Sequence, residues 1–209
     1  MIIKKLIFNP FQTNTYIITD ETNECIIIDA ACYGDKENKI LEDYITKENL
    51  IPVRTIFTHC HIDHILGKSF VIEKYNLEPE VHPKGQLLWE TVKDFGFMFG
   101  FNYDQPLDPK KFIKEGDIIK FGNSSLKVIY TPGHADGSIS LWSKKENFVI
   151  VGDVLFNKGV GRTDLPTGNL ELLRDSIFNK LFILDDDTIV YSGHGSKTTI
   201  GSEKNYLIL

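Results

Sequence analysis

The chain has 209 residues, 42% hydrophobic and 25% charged, the balance of a folded globular protein long enough for one substantial core and short for two. Its formal net charge is −6 with no long basic run, which argues against a general nucleic-acid or anionic-membrane binder, because counterion release needs clustered Lys and Arg. No segment approaches the roughly 18 consecutive apolar residues of a membrane span. The opening MIIKKLIFNP meets Asn9 and Pro10 after a few apolar residues, with no small-residue cleavage site behind it, so no signal peptide is expected. Cys25, Cys32 and Cys60 lack CxxC or ribbon spacing, which predicts reduced thiols and a cytoplasmic location. No repeat, low-complexity stretch or linker divides the sequence, so residues 1–209 are expected to form a single domain.

In chain order, strands are predicted at Ile2–Phe8, Thr15–Thr19 and Cys25–Ile28, with polar turn residues from Asp20 to Asn23. A helix is predicted over Glu37–Lys47, where Ile40, Leu41, Tyr44 and Ile45 recur at helical spacing. The β-branched run Val53–Phe57 reads as a buried strand, and Lys68–Tyr75 as a helix. Gln86–Phe101, with Trp89, Phe95, Phe97, Met98, Phe99 and Phe101, reads either as core packing or as a lid lining a substrate. Further strands follow at Ile118–Phe121, Leu126–Tyr130, Ile139–Trp142 and Phe148–Val151, then a helix over Asn169–Asn179 and a last strand at Thr188–Tyr191. Two packed sheets with helices outside would satisfy this order, but the order alone does not select that fold.

The residues that carry chemistry sit at strand ends. Thr58-His59-Cys60-His61-Ile62-Asp63-His64 directly follows an apolar strand. A lone His or a pair is commonly structural. Three His and one Asp in so short a run would cost several kcal/mol to bury without partners or a metal. On an extended segment His59 and His61 point the same way and Cys60 the other, while Asp63 and His64 turn toward a second position. His134 ends Thr131-Pro132-Gly133-His134, Asp153 follows the apolar run Val149–Val151, and His194 lies in Ser192-Gly193-His194-Gly195. Each alone would pass for a cap or a hydrogen-bonding group. Together they supply five imidazoles and two carboxylates, a set suited to zinc, iron(II) or manganese. These ligands exceed one tetrahedral ion and suit two ions roughly 3.5–4 Å apart.

The series HxHxDH, TPGH, GD and GHG, spread over almost the whole chain, resembles the metallo-β-lactamase-fold hydrolases. The resemblance implies an α+β fold, an αββα sandwich of two mixed β-sheets with helices on the outer faces. It implies that His59, His61 and His134 hold one metal, that Asp63, His64 and His194 hold a second, and that Asp153 bridges them. Asp29, after Ile26-Ile27-Ile28, matches a structural Asp of the family or simply closes a turn. Within the superfamily, secreted β-lactamases match poorly, since no signal peptide is expected and such enzymes usually lack a carboxylate at the position of Asp153. The diiron flavoproteins usually carry Glu where His61 stands and add a flavin domain. The nuclease branch needs further domains and a basic surface.

The run Gly152-Asp153-Val154-Leu155-Phe156, followed by Gly161-Arg162-Thr163-Asp164-Leu165-Pro166, is similar to compact glyoxalase-II-like thioester hydrolases, although GRTD also occurs in persulfide dioxygenases of the same fold. Arg162 is expected to bind a substrate carboxylate and Asp164 to orient it or a ligand; the other reading is a charged pair that stiffens the loop. One departure is that Lys204-Asn205-Tyr206-Leu207-Ile208-Leu209 follows His194 closely, where hydroxyacylglutathione hydrolases carry a basic helical segment that grips glutathione. That apolar end is expected on the core or at a dimer contact.

The expected enzyme is thus a binuclear hydrolase, most simply with zinc, cleaving a small-molecule thioester such as a hydroxyacylglutathione. Asp63 and Asp153 are its candidate catalytic groups, and Asp63 doubles as an acceptor for the water proton. A monomer or homodimer is expected, without nucleic-acid or membrane partners. The alternatives are a mononuclear-iron persulfide dioxygenase using His59, His134 and Asp153, and a non-enzymatic binding member, which would predict eroded ligands.

Overall fold

The computed structural model describes residues 1–98, 100–101 and 108–207, without the side chains of residues 93–95 and 97–98. Its first sheet holds β1 (Ile2–Phe8), β2 (Thr13–Thr19), β3 (Glu24–Ile28), β4 (Ile51–Ile56), β5 (Pro79–Val81) and β6 (Lys111–Phe112), in that spatial order. The first three strands are antiparallel, and β3 to β6 run parallel. The second sheet begins with β7 (Ile118–Phe121), β8 (Ser124–Tyr130), β9 (Ile139–Ser143) and β10 (Phe148–Gly152). A hairpin of β11 (Leu155–Phe156) and β12 (Gly159–Val160) interrupts it before β13 (Ile189–Ser192) and β14 (Thr198–Thr199) complete it. Its spatial order is β14-β13-β10-β9-β8-β7, with the β10–β13 pair parallel. Both sheets are mixed, as expected.

Side-chain alternation explains why the sheets stack. In β2 and β3 the two-residue period sends Tyr16, Ile18, Ile26 and Ile28 inward to meet Val128, Leu141 and Ile150 of the second sheet. The same period sends Ile17, Cys25 and Ile27 outward, against Leu41 and Ile45 of α1 (Gly34–Lys47). A strand buried on both faces must read as a continuous apolar run, and Cys25-Ile26-Ile27-Ile28 does. On the same outer face lie α2 (Ile62–Ile65), α3 (Lys68–Tyr75) and α4 (Gln86–Met98). On the far face, Val149, Val151 and Val190 bury against α5 (Leu170–Asp175), the π-helical turn Ser176–Leu181 that continues it, and α6 (Ile200–Tyr206). The layers are those of an αββα sandwich.

The departures from expectation are local. The two- and three-residue strands β5, β6 and β14, and the short helices α2 and α6, carry too few residues for a periodic signal. Thr188–Tyr191 is therefore not the last strand, since β14 follows it. The helix expected over Asn169–Asn179 is α-helical only to Asp175. α1 starts three residues early, at Gly34, where Glu37 accepts from the Tyr33 N–H at 2.8 Å. For the aromatic stretch, Trp89 packs in the core on Phe57, with ring centres 5.5 Å apart, while Leu88 and Val92 face a cavity. Phe99 and the side chains of Phe95, Phe97 and Met98 lie outside the described residues. The apolar end places Leu207 against the core of the second sheet; Ile208 and Leu209 lie outside the described residues. Among the described residues, no helix is long and apolar enough to cross a membrane.

Candidate metal centre

One edge of the sandwich gathers the C-terminal ends of β4, β8, β10 and β13, and there the two sheets are tied by backbone bonds. Ile139 N–H donates to Thr58 O at 2.8 Å and Asn14 N–H to Gly193 O at 2.7 Å, while within the second sheet Gly193 N–H donates to Gly152 O at 2.7 Å. This convergence brings all seven predicted side chains together. The ring centres of His59 lie 4.8 Å from His61, 4.9 Å from His134 and 4.1 Å from His64. Three sets, His59/His61/His134, His59/His64/Asp153 and Asp63/His64/His194, each place their nearest donor atoms within 4.8 Å of one another. Asp153 sits between the halves, with Oδ1 3.3 Å from His64 Nε2 and Oδ2 3.4 Å from His194 Nε2 and 3.7 Å from His134 Nε2. Asp63 Oδ2 lies 3.2 Å from His194 Nε2. As expected from its neighbours, Cys60 turns the other way, into the core beside Gly85, although it also borders the cavity.

Most of these groups are held from behind. His64 Nδ1 donates to Asp29 Oδ2 at 3.0 Å, His134 Nδ1 to the Arg162 carbonyl at 2.8 Å and His194 Nδ1 to the Phe11 carbonyl at 3.0 Å. His59 Nδ1 lies 3.2 Å from Thr58 Oγ1. Thr13 Oγ1 donates to Asp63 Oδ2 at 2.8 Å. Anchoring one ring nitrogen fixes the tautomer and aims the other inward, the usual arrangement behind a metal. The inward atom His59 Nε2 is buried without a hydrogen-bond partner, a state that normally costs several kcal/mol and that a cation would relieve, and the buried His64 Nε2 and Asp153 Oδ1 face each other at 3.3 Å as an ion pair without a hydrogen bond. His61 Nδ1 and His134 Nε2 face each other at 2.9 Å, two atoms of one candidate set. The donor set and its orphaned atoms fit a divalent metal.

Electrostatics divide the site in two. Burial, then the neighbouring imidazoles, holds His59 well below the usual histidine range, and burial with His134 pushes His61 down to about 4. Burial lowers His134 as well. In the other half burial opposes the charge, but Asp63, Asp153 and Asp29 hold His64 well above its usual value. Burial is likewise outweighed at His194, which hydrogen bonds to Asp153 and Asp63 raise to about 9. Asp63 and Asp153 are correspondingly low: burial opposes their ionisation, and His64 is the largest influence favouring it. One half therefore offers neutral imidazoles, while the other holds protons that a metal would displace.

Asp29 does more than close a turn. It occupies the left-handed region at φ 52°, and besides holding His64 it accepts from Thr58 N–H and Thr58 Oγ1, each at 2.7 Å. Arg162 lines the cavity, but its guanidinium makes a two-pronged pair with Asp164 at 2.7 and 2.6 Å, both side chains exposed. The charged pair is thus present, and the Arg162 carbonyl accepts from His134 Nδ1. Thr13, Phe11 and Asn9 were not expected at the site. Asn9 Nδ2 donates to the carbonyls of Asp63 and Ala31, at 2.9 and 3.0 Å, and Asn9 Oδ1 accepts from Phe11 N–H at 2.9 Å. Their only sequence signal is the turn-forming Asn9-Pro10 pair and the polar cluster Gln12–Asn14 where β2 begins. A cavity of about 540 Å³ opens above the cluster. A larger groove of about 710 Å³ beside α6 contains none of the seven side chains.

Comparisons with known proteins agree with this geometry. The profile of the metallo-β-lactamase superfamily matches residues 8–194. A probable metallo-hydrolase, YqgX, of Bacillus subtilis is 35% identical over 97% of this chain and 94% of its own. The hydroxyacylglutathione hydrolase GloC of Haemophilus influenzae is 33% identical over 93% and 91%. Among solved structures, BLEG-1, described as a B3 metallo-β-lactamase, superposes with a TM-score of 0.89 at 31% identity, covering 98% of this chain and 97% of its own. TTHA1623 in a di-iron-bound form superposes at 0.87 with 29% identity, covering 98% of both. The profile spans most of the chain, and the same residues carry the metal cluster: the chain belongs to the metallo-β-lactamase superfamily, among its metallo-hydrolases.

Proposed function

We propose that this protein is a binuclear metal-dependent hydrolase acting on thioesters. His59, His61 and His134 would hold one ion, Asp63, His64 and His194 the other, and Asp153 would serve both. The observation that carries the proposal is the position of Asp153, with one carboxylate oxygen toward His64 and the other toward His134 and His194, beneath an open cavity. Zinc is the metal we assign, with iron(II) or manganese as the other candidates; the di-iron form of TTHA1623 keeps iron in view. Bound ions would supply a water acidic enough to ionise near neutral pH and positive charge for the carbonyl oxygen of the transition state.

The chain's own groups do the rest. Asp63, to which Thr13 Oγ1 donates at 2.8 Å, would accept the water proton. His134 and His194 are kept in one tautomer by the carbonyls of Arg162 and Phe11. Cleavage of a thioester releases a thiolate, a leaving group stable enough to depart without a strong general acid. That suits a cavity whose described walls offer none beyond the cluster itself. The name borne by the relative GloC supports a thioester substrate.

The test is turnover of S-D-lactoylglutathione and of S-acetyl-N-acetylcysteamine by purified, metal-loaded protein, with metal content measured in parallel. Chelator-sensitive cleavage of either, with two metals per chain, is expected. A protein holding two metals that cleaves neither overturns the thioester assignment. The adjacency of His134 and Asp153 beside His59 also favours a second reading, a single iron(II) in a persulfide dioxygenase. Oxygen uptake with glutathione persulfide and one iron per chain would select it.

A further inference from the structure

Resting on the thioester reading, we infer that the substrate carries an uncharged, apolar arm, seated against Phe11, Ile62, Leu88, Val92, Phe156 and Leu165, and that a multiply charged thiol such as glutathione is a poor fit. These side chains come from separate parts of the chain: the turn before β2, helices α2 and α4, the β11–β12 hairpin and the loop after it. Together they wall the cavity of about 540 Å³ directly above the metal cluster. Phe11 is 42% exposed although its ring borders the cavity, and its carbonyl is the acceptor for His194 Nδ1. An arm packed on this ring therefore occupies the same cavity as the cluster.

Charge points the same way. Among the described residues, Arg162 is the one cation lining the cavity outside the histidine–aspartate cluster, and its Nε and Nη2 are already paired with Asp164. The other charged side chains there, Asp63, Asp153 and His194, belong to the cluster. Glutathione brings two carboxylates. Seating them would set one against an Arg162 whose charge Asp164 already balances and leave the other without a described partner, and burying an unpaired carboxylate is costly. An uncharged arm meets no such cost and gains from covering the exposed Phe11 ring.

The experiment measures kcat/KM of the metal-loaded protein on two neutral series and on S-D-lactoylglutathione. N-acetylcysteamine thioesters of acetate, butyrate, hexanoate and phenylacetate lengthen the acyl arm. Acetyl thioesters of ethanethiol, butanethiol and benzyl mercaptan lengthen the thiol arm. In one series kcat/KM is expected to rise about three- to four-fold per buried methylene, the factor equivalent to ~0.8 kcal/mol, and its longer members to exceed S-D-lactoylglutathione. Leu88→Ala and Val92→Ala should flatten that slope through KM while metal content stays at the wild-type level. Flat profiles in both series, with S-D-lactoylglutathione at least ten-fold better than every neutral substrate, would overturn the inference and leave the thioesterase standing. Cleavage of no thioester at all would overturn the thioesterase reading and this inference with it.

Discussion

Asp29 and His64 are joined through a single oxygen: Asp29 Oδ2 accepts from His64 Nδ1 at 3.0 Å while also accepting from Thr58 Oγ1 at 2.7 Å. The pair is buried, and the carboxylate makes His64 present Nε2 to the metal cluster. Asp29→Asn keeps the size of the side chain and removes its charge. One side-chain position becomes a donor facing groups that must themselves donate. We expect metal affinity to fall about 10- to 100-fold, the usual cost of losing such a support. Titration against a chromophoric chelator reads this directly, and unchanged affinity would show that His64 needs no such anchor.

Thr13 bears the same relation to Asp63. Thr13→Val keeps the shape and deletes the donor, whereas Thr13→Ser keeps the donor. The Val variant should weaken the metal bound through Asp63, His64 and His194 by about 10-fold or more, and the Ser variant should restore it. Loss in both would mean that Thr13 matters for packing alone.

What could be read from the sequence divides along this line. Metal chemistry demands His and Asp, which are scarce in apolar strand ends, so His59, His61, His134, Asp153 and His194 stand out as residues. The groups behind them do not. The Phe11 and Arg162 carbonyls have no side-chain signature, and Thr13 is one threonine in a polar stretch. For the fold, Cys25-Ile26-Ile27-Ile28 announces a strand because both its faces are buried. Pro79–Val81 is a strand only because β4 lies beside it, a tertiary cause that three residues cannot encode.

The metal-free protein should have a stability maximum near neutrality. His64 and His194 have folded-state values above the unfolded 6.5, so the stability they contribute is fully present below that value. It is lost as pH rises through the folded value, about 9 for His194. His59, His61 and His134 are lowered, so the fold loses stability as pH falls below 6.5 toward about 4, the value for His61. Asp63 and Asp153, also lowered, withdraw their contribution as pH falls below the usual carboxylate range. Melting in chelator should therefore give its highest Tm between about pH 6 and 7. Because coordination needs deprotonated imidazoles, added metal should raise Tm more at pH 8.5 than at pH 6. A metal-free Tm that climbs steadily to pH 9 would contradict the ion-paired half of the site.

The Gly193-His194-Gly195 motif separates packing from backbone conformation within three residues. A Cβ on Gly193 would lie 2.0 Å from Asp153 Oδ1 and 2.6 Å from His64 Cε1. The backbone cannot retreat, because Gly193 N–H is bonded to Gly152 O and Gly193 O accepts from Asn14 N–H, both at 2.7 Å. Gly193→Ala must therefore displace the carboxylate that lies between the two halves of the cluster. Metal affinity should fall by about 100-fold or more, beyond the usual cost of disturbing a supporting group. Gly195 differs: it sits at φ 72° with nothing within 4 Å of its would-be Cβ. Gly195→Ala should cost stability, about 1–2 kcal/mol from the left-handed backbone, and leave metal binding intact. Metal stoichiometry and thermal melting on both variants decide the matter. Equal metal content in the two would mean that Asp153 is free to move, and that its place between the halves of the cluster is not enforced by Gly193.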